Sequence, residues 1–146
     1  MNLIVKKFDE LTPYELYKIL QARVAVFVVE QNCPYQELDG KDINAYHMWL
    51  EDNGEIKACL RILDKGISYE EVSVGRVITT ERGKGYGEKI LRAGVEFAQK
   101  TYHADKIKIG AQLYAKKFYE KVGFRQISDT YLEDGIVHIH MLLELA

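Results

Sequence analysis

The chain has 146 residues, 47% of them hydrophobic, which suffices for a single domain with its own core. Its 20 basic and 22 acidic side chains leave a net charge of -2, which argues against nucleic acid as a partner. No segment has the pattern of a signal peptide or a membrane span, so we expect a cytoplasmic protein without a membrane partner. Cys33 and Cys59 lack metal-ligand spacing and are expected to be reduced thiols.

The first half of the chain predicts a strand, a helix and a hairpin, in that order. Thr12 is a good N-cap, since Pro13 occupies the first helical position and Glu15 follows three residues after the cap. Residues 32–42 are rich in turn formers and predict a loop. Two segments of alternating hydrophobicity flank the turn signal at 52–54 and predict a β-hairpin.

The second half of the chain switches repeatedly between the strand period and the helix period. This order is typical of an α/β or α+β protein with a mixed sheet and helices on both faces. The predicted elements are strands over 72–79 and 106–111, helices over 84–102 and from 115 to a stop at Gly123, and strands over 124–131 and 136–144.

A glycine-rich turn between Val77 and Gly87 follows a strand and opens a helix. Glycines let the backbone approach an oxyanion closely, and the helix N-terminus adds its positive dipole end. Arg82 and Lys84 supply positive charge. The segment therefore indicates a phosphate site, with a purely structural connection as the alternative for the turn taken alone.

Spacing separates three phosphate-binding patterns. A P-loop requires Lys and then Ser or Thr after its last glycine, whereas Gly87 is followed by Glu88. A dinucleotide fingerprint requires a small residue where this chain has Glu88 or Ile90. The pattern that fits is Arg, two residues, Gly, one residue, Gly, at Arg82, Gly85 and Gly87, and it resembles the pyrophosphate-binding turn of the GNAT N-acetyltransferase superfamily.

A second motif of that superfamily follows at the expected distance. Its pattern is Asn, two residues, Ala, three residues, Tyr, three residues, then Gly-Phe. The chain has Gln112, Ala115, Tyr119, Gly123 and Phe124 at those offsets, with Gln in place of the usual Asn.

The N-terminal third and the C-terminal end resemble the ElaA-like branch of the superfamily. The similar parts are segments 23–31 and 33–42, His47, and segment 134–141, although Val137 stands where Pro is expected. The resemblance therefore extends over most of the chain.

The resemblance implies the GNAT acyl-CoA N-acyltransferase fold in one domain over 1–146, with a splayed mixed sheet of about six to seven strands. It also implies acetyl-CoA as co-substrate, held in the gap between the strands that end near Thr80 and Ala111, and no metal. The implied cofactor-binding residues are Val77, Ile78, Arg82, Gly83, Lys84, Gly85, Tyr86, Gly87 and Gln112.

Two catalytic residues follow from the same resemblance. Tyr119 directs its phenol at the thioester sulfur, with a core residue as the alternative, because it shares the apolar stripe of its helix. Glu71 stands six residues before Val77, where part of the superfamily carries a general base, with an exposed strand charge as the alternative. His138 and His140 share a strand face, but no third ligand is placed by spacing, so we predict no metal site there.

The first helix and the loop after it are implied to lie over the acceptor, a small-molecule or peptide amine. Their acidity would suit a cation, and the implied residues are Glu30, Gln31, Tyr35, Glu37 and Asp39. The predicted function is transfer of an acetyl group to a primary amine, with a non-catalytic CoA-binding or interaction module as the alternative. A homodimer is compatible with the sequence but is not indicated by any exposed apolar stripe.

Overall fold

The structure, a computed structural model, describes residues 1–145. Eight strands form two four-stranded sheets, one in the order β1-β2-β3-β4 and one in the order β5-β8-β6, with β7 also paired to β8. All strand pairs within each sheet are antiparallel. The strands are β1 (Asn2–Lys7), β2 (Ala45–Asp52), β3 (Glu55–Leu63), β4 (Ser73–Thr79), β5 (Lys106–Gln112), β6 (Arg125–Gln126), β7 (Tyr131–Glu133) and β8 (Ile136–Glu144).

Three α-helices accompany the sheets: α1 (Pro13–Val24), α2 (Tyr86–Tyr102) and α3 (Lys116–Glu120). The predicted start of α1 is confirmed, since the Thr12 side chain accepts a bond from the Glu15 backbone and Glu15 returns one to Thr12. After Val24 the chain continues as a π-helix, Ala25–Glu30, rather than as an α-helix. None of the helices in residues 1–145 is long and apolar enough to cross a membrane.

The first sheet lies between α1 and α2, as the alternating pattern predicts. In β2, Met48 and Leu50 pack into the cluster that contains Ile90 of α2. Trp49 points the other way and packs with Ile19 of α1. The prediction of helices on both faces of the sheet is therefore confirmed.

The predicted strand over 124–131 is divided, so that the fold has eight strands instead of six or seven. β6 ends at Gln126, and β7 pairs with β8 separately. Between them the backbone N–H of His140 donates to the Ser128 side-chain oxygen at 2.9 Å. Because a side chain takes the place of a backbone acceptor, the ladder is interrupted there.

The two sheets meet along β4 and β5, the predicted point of splaying. Within residues 1–145, the only strand bridge between them joins Val72 to Ile107 in parallel, and the Lys108 N–H donates to the Val72 carbonyl at 3.0 Å. Beyond this closed end, β4 and β5 present facing edges that are not paired to each other over the described residues. The resulting gap positions the candidate site.

Candidate active site

A cavity of about 590 Å³ occupies the gap between β4 and β5. At one end, the glycine-turn end, it reaches the turn over residues 80–87 and the start of α3. At the other, the loop end, it is walled by the loop over 31–42 and the hairpin turn between β7 and β8. The fold thus brings four separate segments of the chain to one concave site.

The backbone at the glycine-turn end requires glycine at two positions. Gly83 and Gly85 both have φ of +76°, a left-handed conformation that costs a residue with a Cβ about 1–2 kcal/mol. Gly85 is the N-cap of α2, a helix of 17 residues. The turn therefore leads the chain into a helix N-terminus, an arrangement that favours anions.

Gly87 is needed for close packing instead. A Cβ at this position would lie 3.3 Å from the Phe118 ring and 3.4 Å from the Thr79 methyl group. The absence of a side chain lets the first turn of α2 approach α3. Since Tyr119 follows Phe118, this contact also sets the distance between the turn and the Tyr119 side chain.

Tyr119 lines the cavity while its ring packs edge-on against Phe118 and Phe124, at 5.1 and 5.9 Å between centroids. Burial raises the pKa of its phenol well above the ordinary value, and Tyr114 adds to this shift. The hydroxyl accordingly keeps its proton at neutral pH. Among the described residues, no group hydrogen-bonds this hydroxyl, so it is available to a ligand.

Gln112, at the end of β5, pairs with Gln31 in the loop that follows the π-helix. Each side-chain amide donates to the other's oxygen at 3.0 Å, although the two residues are 81 positions apart. Both residues line the cavity. A residue predicted for the cofactor and one predicted for the acceptor are thus joined across the opening.

A network of arginine and carboxylate side chains holds the loop end in place. Arg23 is 1% exposed and bonds Glu37 through Nε and Nη2, at 2.6 Å each, and Asp42 through Nη1 at 2.9 Å. Arg61 donates to Asp39 at 2.8 and 2.6 Å and to Asp42 at 3.0 Å. Burial acts to raise the pKa of Asp42, but the two arginines hold it below its ordinary value.

Arg76 connects this network to β4. It occupies a β-bulge, where two residues of β4, Arg76 and Val77, oppose one of β3, Leu60, and its φ is +51°. Its guanidinium bonds the Glu37 carboxylate at 3.2 Å and carbonyl at 2.9 Å. Phe27 and Tyr35 lie against the same guanidinium, with ring centroids 5.9 and 5.7 Å away. The bulge thereby ties the strand to the loop.

Comparison with known proteins places this site in a family. The family model described as the acetyltransferase (GNAT) domain matches residues 14–145. The chain belongs to the GNAT acetyltransferase family. Protein ElaA of Escherichia coli is 40% identical over 141 residues, covering 94% of this chain and 92% of that protein. A UPF0039 protein of Schizosaccharomyces pombe is 38% identical over 149 residues, covering 99% and 98%.

Solved structures of GNAT-fold proteins agree with the sequence relatives. An acyl-CoA N-acyltransferase from Pseudomonas aeruginosa superimposes with a TM-score of 0.91 at 34% identity, covering 98% of this chain and 99% of the other. The crystal structure of Escherichia coli ElaA gives a TM-score of 0.90 at 37% identity, with the same coverage. The predicted ElaA-like branch and the GNAT fold are therefore confirmed.

Within this GNAT fold, the predicted cofactor residues divide into two groups. Val77, Ile78, Arg82, Gly87 and Gln112 line the cavity. The residues that shape the turn without lining the cavity are Gly83, Lys84, Gly85 and Tyr86.

The predicted roles of two acidic residues in acceptor binding need correction. Glu37 is 2% exposed and bonds Arg23 and Arg76, so it is part of the support and not a free acceptor contact. Glu30 pairs with Arg82 at the surface and does not line the cavity, unlike Gln31 and Tyr35. Because arginines neutralise these acids, the expected excess of free negative charge on the loop is not present.

Glu71 does not line the cavity of this GNAT protein either. It precedes Val72, whose bridge to Ile107 closes the gap. Its role as a general base stays a prediction without support from the cavity geometry. Sequence reasoning missed Arg76 in the cavity wall, because a left-handed arginine within a strand has no sequence signal beyond the preceding Gly75.

Proposed function

We propose that this GNAT protein transfers the acetyl group of acetyl-CoA to a primary amine by direct attack on the thioester. The observation that carries the proposal is that the glycine turn and Tyr119 share one cavity between two unpaired strand edges. In this proposal the turn over 82–87 binds the pyrophosphate. The backbone of Val77 and Ile78 pairs with the amides of the pantetheine arm, as a ligand adding to a strand edge.

The proposed reaction begins with a neutral amine, which attacks the thioester carbonyl carbon to form a tetrahedral intermediate. The C–S bond then breaks and the thiolate leaves, while the nitrogen loses its extra proton to give the neutral amide and the sulfur gains one to give free CoA. Tyr119 donates a hydrogen bond to the developing negative charge on sulfur. The raised pKa of this phenol supports a donor role, because the proton stays on oxygen until a strong acceptor forms.

The acceptor, a small-molecule or peptide amine, is proposed to enter at the loop end. An alkylammonium has a pKa of about 10.4 and must lose a proton before it attacks. Gln31 and Tyr35 line this end and are proposed to contact the acceptor. Asp39 also lines it, although Arg61 neutralises its charge.

The first experiment is calorimetric titration of the protein with acetyl-CoA, using Gly85→Glu as the disrupting variant. Gly54→Glu is a matched control, since Gly54 has the same φ of +76° and nothing within 4 Å of its would-be Cβ, but lies in the β2–β3 turn. We expect micromolar binding by the wild type and Gly54→Glu, and none by Gly85→Glu, because the added carboxylate repels the pyrophosphate.

A second step separates an enzyme from a binding module. CoA release is measured with a panel of primary amines, including spermidine, glucosamine and a lysine-containing peptide. Release with an amine supports the transferase. Tight binding without release from any amine favours a CoA-binding module, and no binding at all contradicts both.

A further inference from the structure

The hairpin of β7 and β8 brings a histidine into the cavity next to a predicted cofactor residue. His138 lines the cavity and is directly opposite Gln112 in the β5–β8 register. Opposed residues in an antiparallel pair share a sheet face. The neighbouring Ile139 is fully buried in the core, so His138 lies on the opposite face, which faces the cavity.

The hydrogen bonding of His138 assigns its tautomer. Its Nδ1 lies 2.8 Å from the carbonyl oxygen of Ile136. A carbonyl only accepts, so Nδ1 carries the proton, and Nε2 of the neutral ring has a free lone pair. The Tyr131 ring stacks on the imidazole at 5.8 Å, with 26° between the planes, and this contact helps to orient the ring.

The free nitrogen faces a carboxylate. His138 Nε2 lies 3.6 Å from Oε2 of Glu133, and both residues line the cavity. When the imidazole is neutral, His138 Nε2 and the Glu133 carboxylate oxygen are both hydrogen-bond acceptors. Within residues 1–145, no protein group donates a hydrogen bond to either atom. Two adjacent acceptors are satisfied by a ligand that donates hydrogen bonds to both, and an ammonium group has three N–H donors. The Glu133 side chain is 61% exposed, so it can adjust around such a group.

We infer that the acceptor's ammonium group binds between Glu133 and His138, and that His138 Nε2 removes its proton. This inference rests on the proposed function. The N–H bond breaks, the proton forms a bond to Nε2, and the nitrogen lone pair attacks the thioester carbonyl carbon. The second nitrogen proton passes to the departing sulfur to give free CoA, while the imidazolium, paired with Glu133, returns its proton to water.

Asp134 also lines the cavity, and the Tyr131 ring contacts both histidine rings, 5.8 Å from His138 and 4.7 Å from His140. The remaining ionisable groups near this face lie farther along β8 and β5 or come from the loop between β3 and β4. His140, Tyr69 and Lys108 form one group, in which His140 packs edge-on against Tyr69 at 5.6 Å and Lys108 lies over the Tyr69 ring at 4.8 Å. Burial and Lys108 lower the pKa of His140. His140 does not line the cavity, so it provides a matched control on the same strand face.

The test compares His138→Asn with His140→Asn. Asparagine retains a donor for the Ile136 carbonyl but has no basic nitrogen. The kcat/KM is measured at pH 7 for the fastest amine of the panel, and for methoxyamine, which is neutral at that pH. We expect His138→Asn to lower kcat/KM for the protonated amine by about 10²- to 10⁴-fold and to affect methoxyamine much less. His140→Asn should match the wild type.

Two further readouts separate a base from a structural residue. The acidic limb of the kcat/KM profile should vanish in His138→Asn, and Glu133→Gln should raise KM for the protonated amine more than it lowers kcat. Equal losses with both nucleophiles, or an unchanged pH profile, would overturn the inference while leaving the proposed function intact. No CoA release by the wild type with any amine would overturn the proposed function, and the inference with it.

Discussion

The two ends of the cavity are built by different means. The glycine-turn end is made by backbone conformation within one short segment, and Arg82, the charged side chain of the turn that lines the cavity, is 67% exposed. The loop end is made by side chains from α1, the loop and two strands, with Arg23 and Glu37 almost fully buried. A site shaped by backbone leaves a local motif in the sequence, whereas a site shaped by distant side chains leaves none.

The same difference predicts unequal sensitivity to mutation. An exposed ion pair is worth at most about 1 kcal/mol, because water screens it. A buried charge that loses its partner costs several times more, because no solvent replaces the bond. The loop end should therefore depend on its charged side chains for stability, and the glycine-turn end should not.

The largest expected effect follows from breaking the buried network. Arg23→Met leaves Glu37 and Asp42 without their principal partner, and we expect the free energy of unfolding to fall by about 3–5 kcal/mol. Urea denaturation monitored by circular dichroism measures this change. The matched Arg82→Met removes the exposed pair with Glu30 and should cost less than about 1 kcal/mol. Similar losses of unfolding free energy in the two variants would contradict the proposed difference between the two ends.

The next effect is catalytic and belongs to the glycine-turn end. Tyr119→Phe removes a hydroxyl that no described residue bonds, so we expect stability to change little. Turnover should fall by about 10²-fold, the usual loss for one donor that acts on developing charge, while the dissociation constant of acetyl-CoA changes far less. Tyr17→Phe, at an exposed tyrosine of α1 that does not line the cavity, is the control for removing a hydroxyl. Equal losses in turnover and cofactor affinity would contradict the donor role.

Local signals in the sequence determined most of the fold. The Thr12 cap, the alternation of β2 and β3, and the glycine turn each depend on neighbouring residues, and all three are found as predicted. The division of the predicted strand over 124–131 was missed, because it depends on Ser128 meeting His140 across the sheet. No periodicity in the chain reveals such a contact.

The loop end was predicted less well for the same physical reason. Composition identified its acids, but not the arginines that neutralise them, since Glu37 meets Arg23 and Arg76 from 14 and 39 positions away. From the sequence, His138 was considered only together with His140 as a possible pair of metal ligands. Its relation to Glu133 and Gln112 comes from the register of β8, which the sequence does not specify.

The smallest expected effect concerns the response of the loop end to pH. His47 is 1% exposed, and its Nε2 donates to the Asp42 carbonyl at 2.9 Å, while its Nδ1 has no partner among the described residues. Burial lowers the pKa of His47, and the nearby Arg23 and Arg61 act in the same direction. His47 therefore binds a proton more readily in the unfolded chain than in the folded protein.

Stability from His47 is accordingly complete above its unfolded pKa of about 6.5 and is lost as pH falls below that value. One such group changes the free energy of unfolding by at most about 1.4 kcal/mol per pH unit. His47→Gln should flatten this dependence at pH values below about 6.5. Arginines hold the pKa of Asp39 and Asp42 low against the effect of burial, so their contribution is lost only at more acidic pH. If the free energy of unfolding of wild type and of His47→Gln depended on pH in the same way, the buried histidine would not couple folding to protonation.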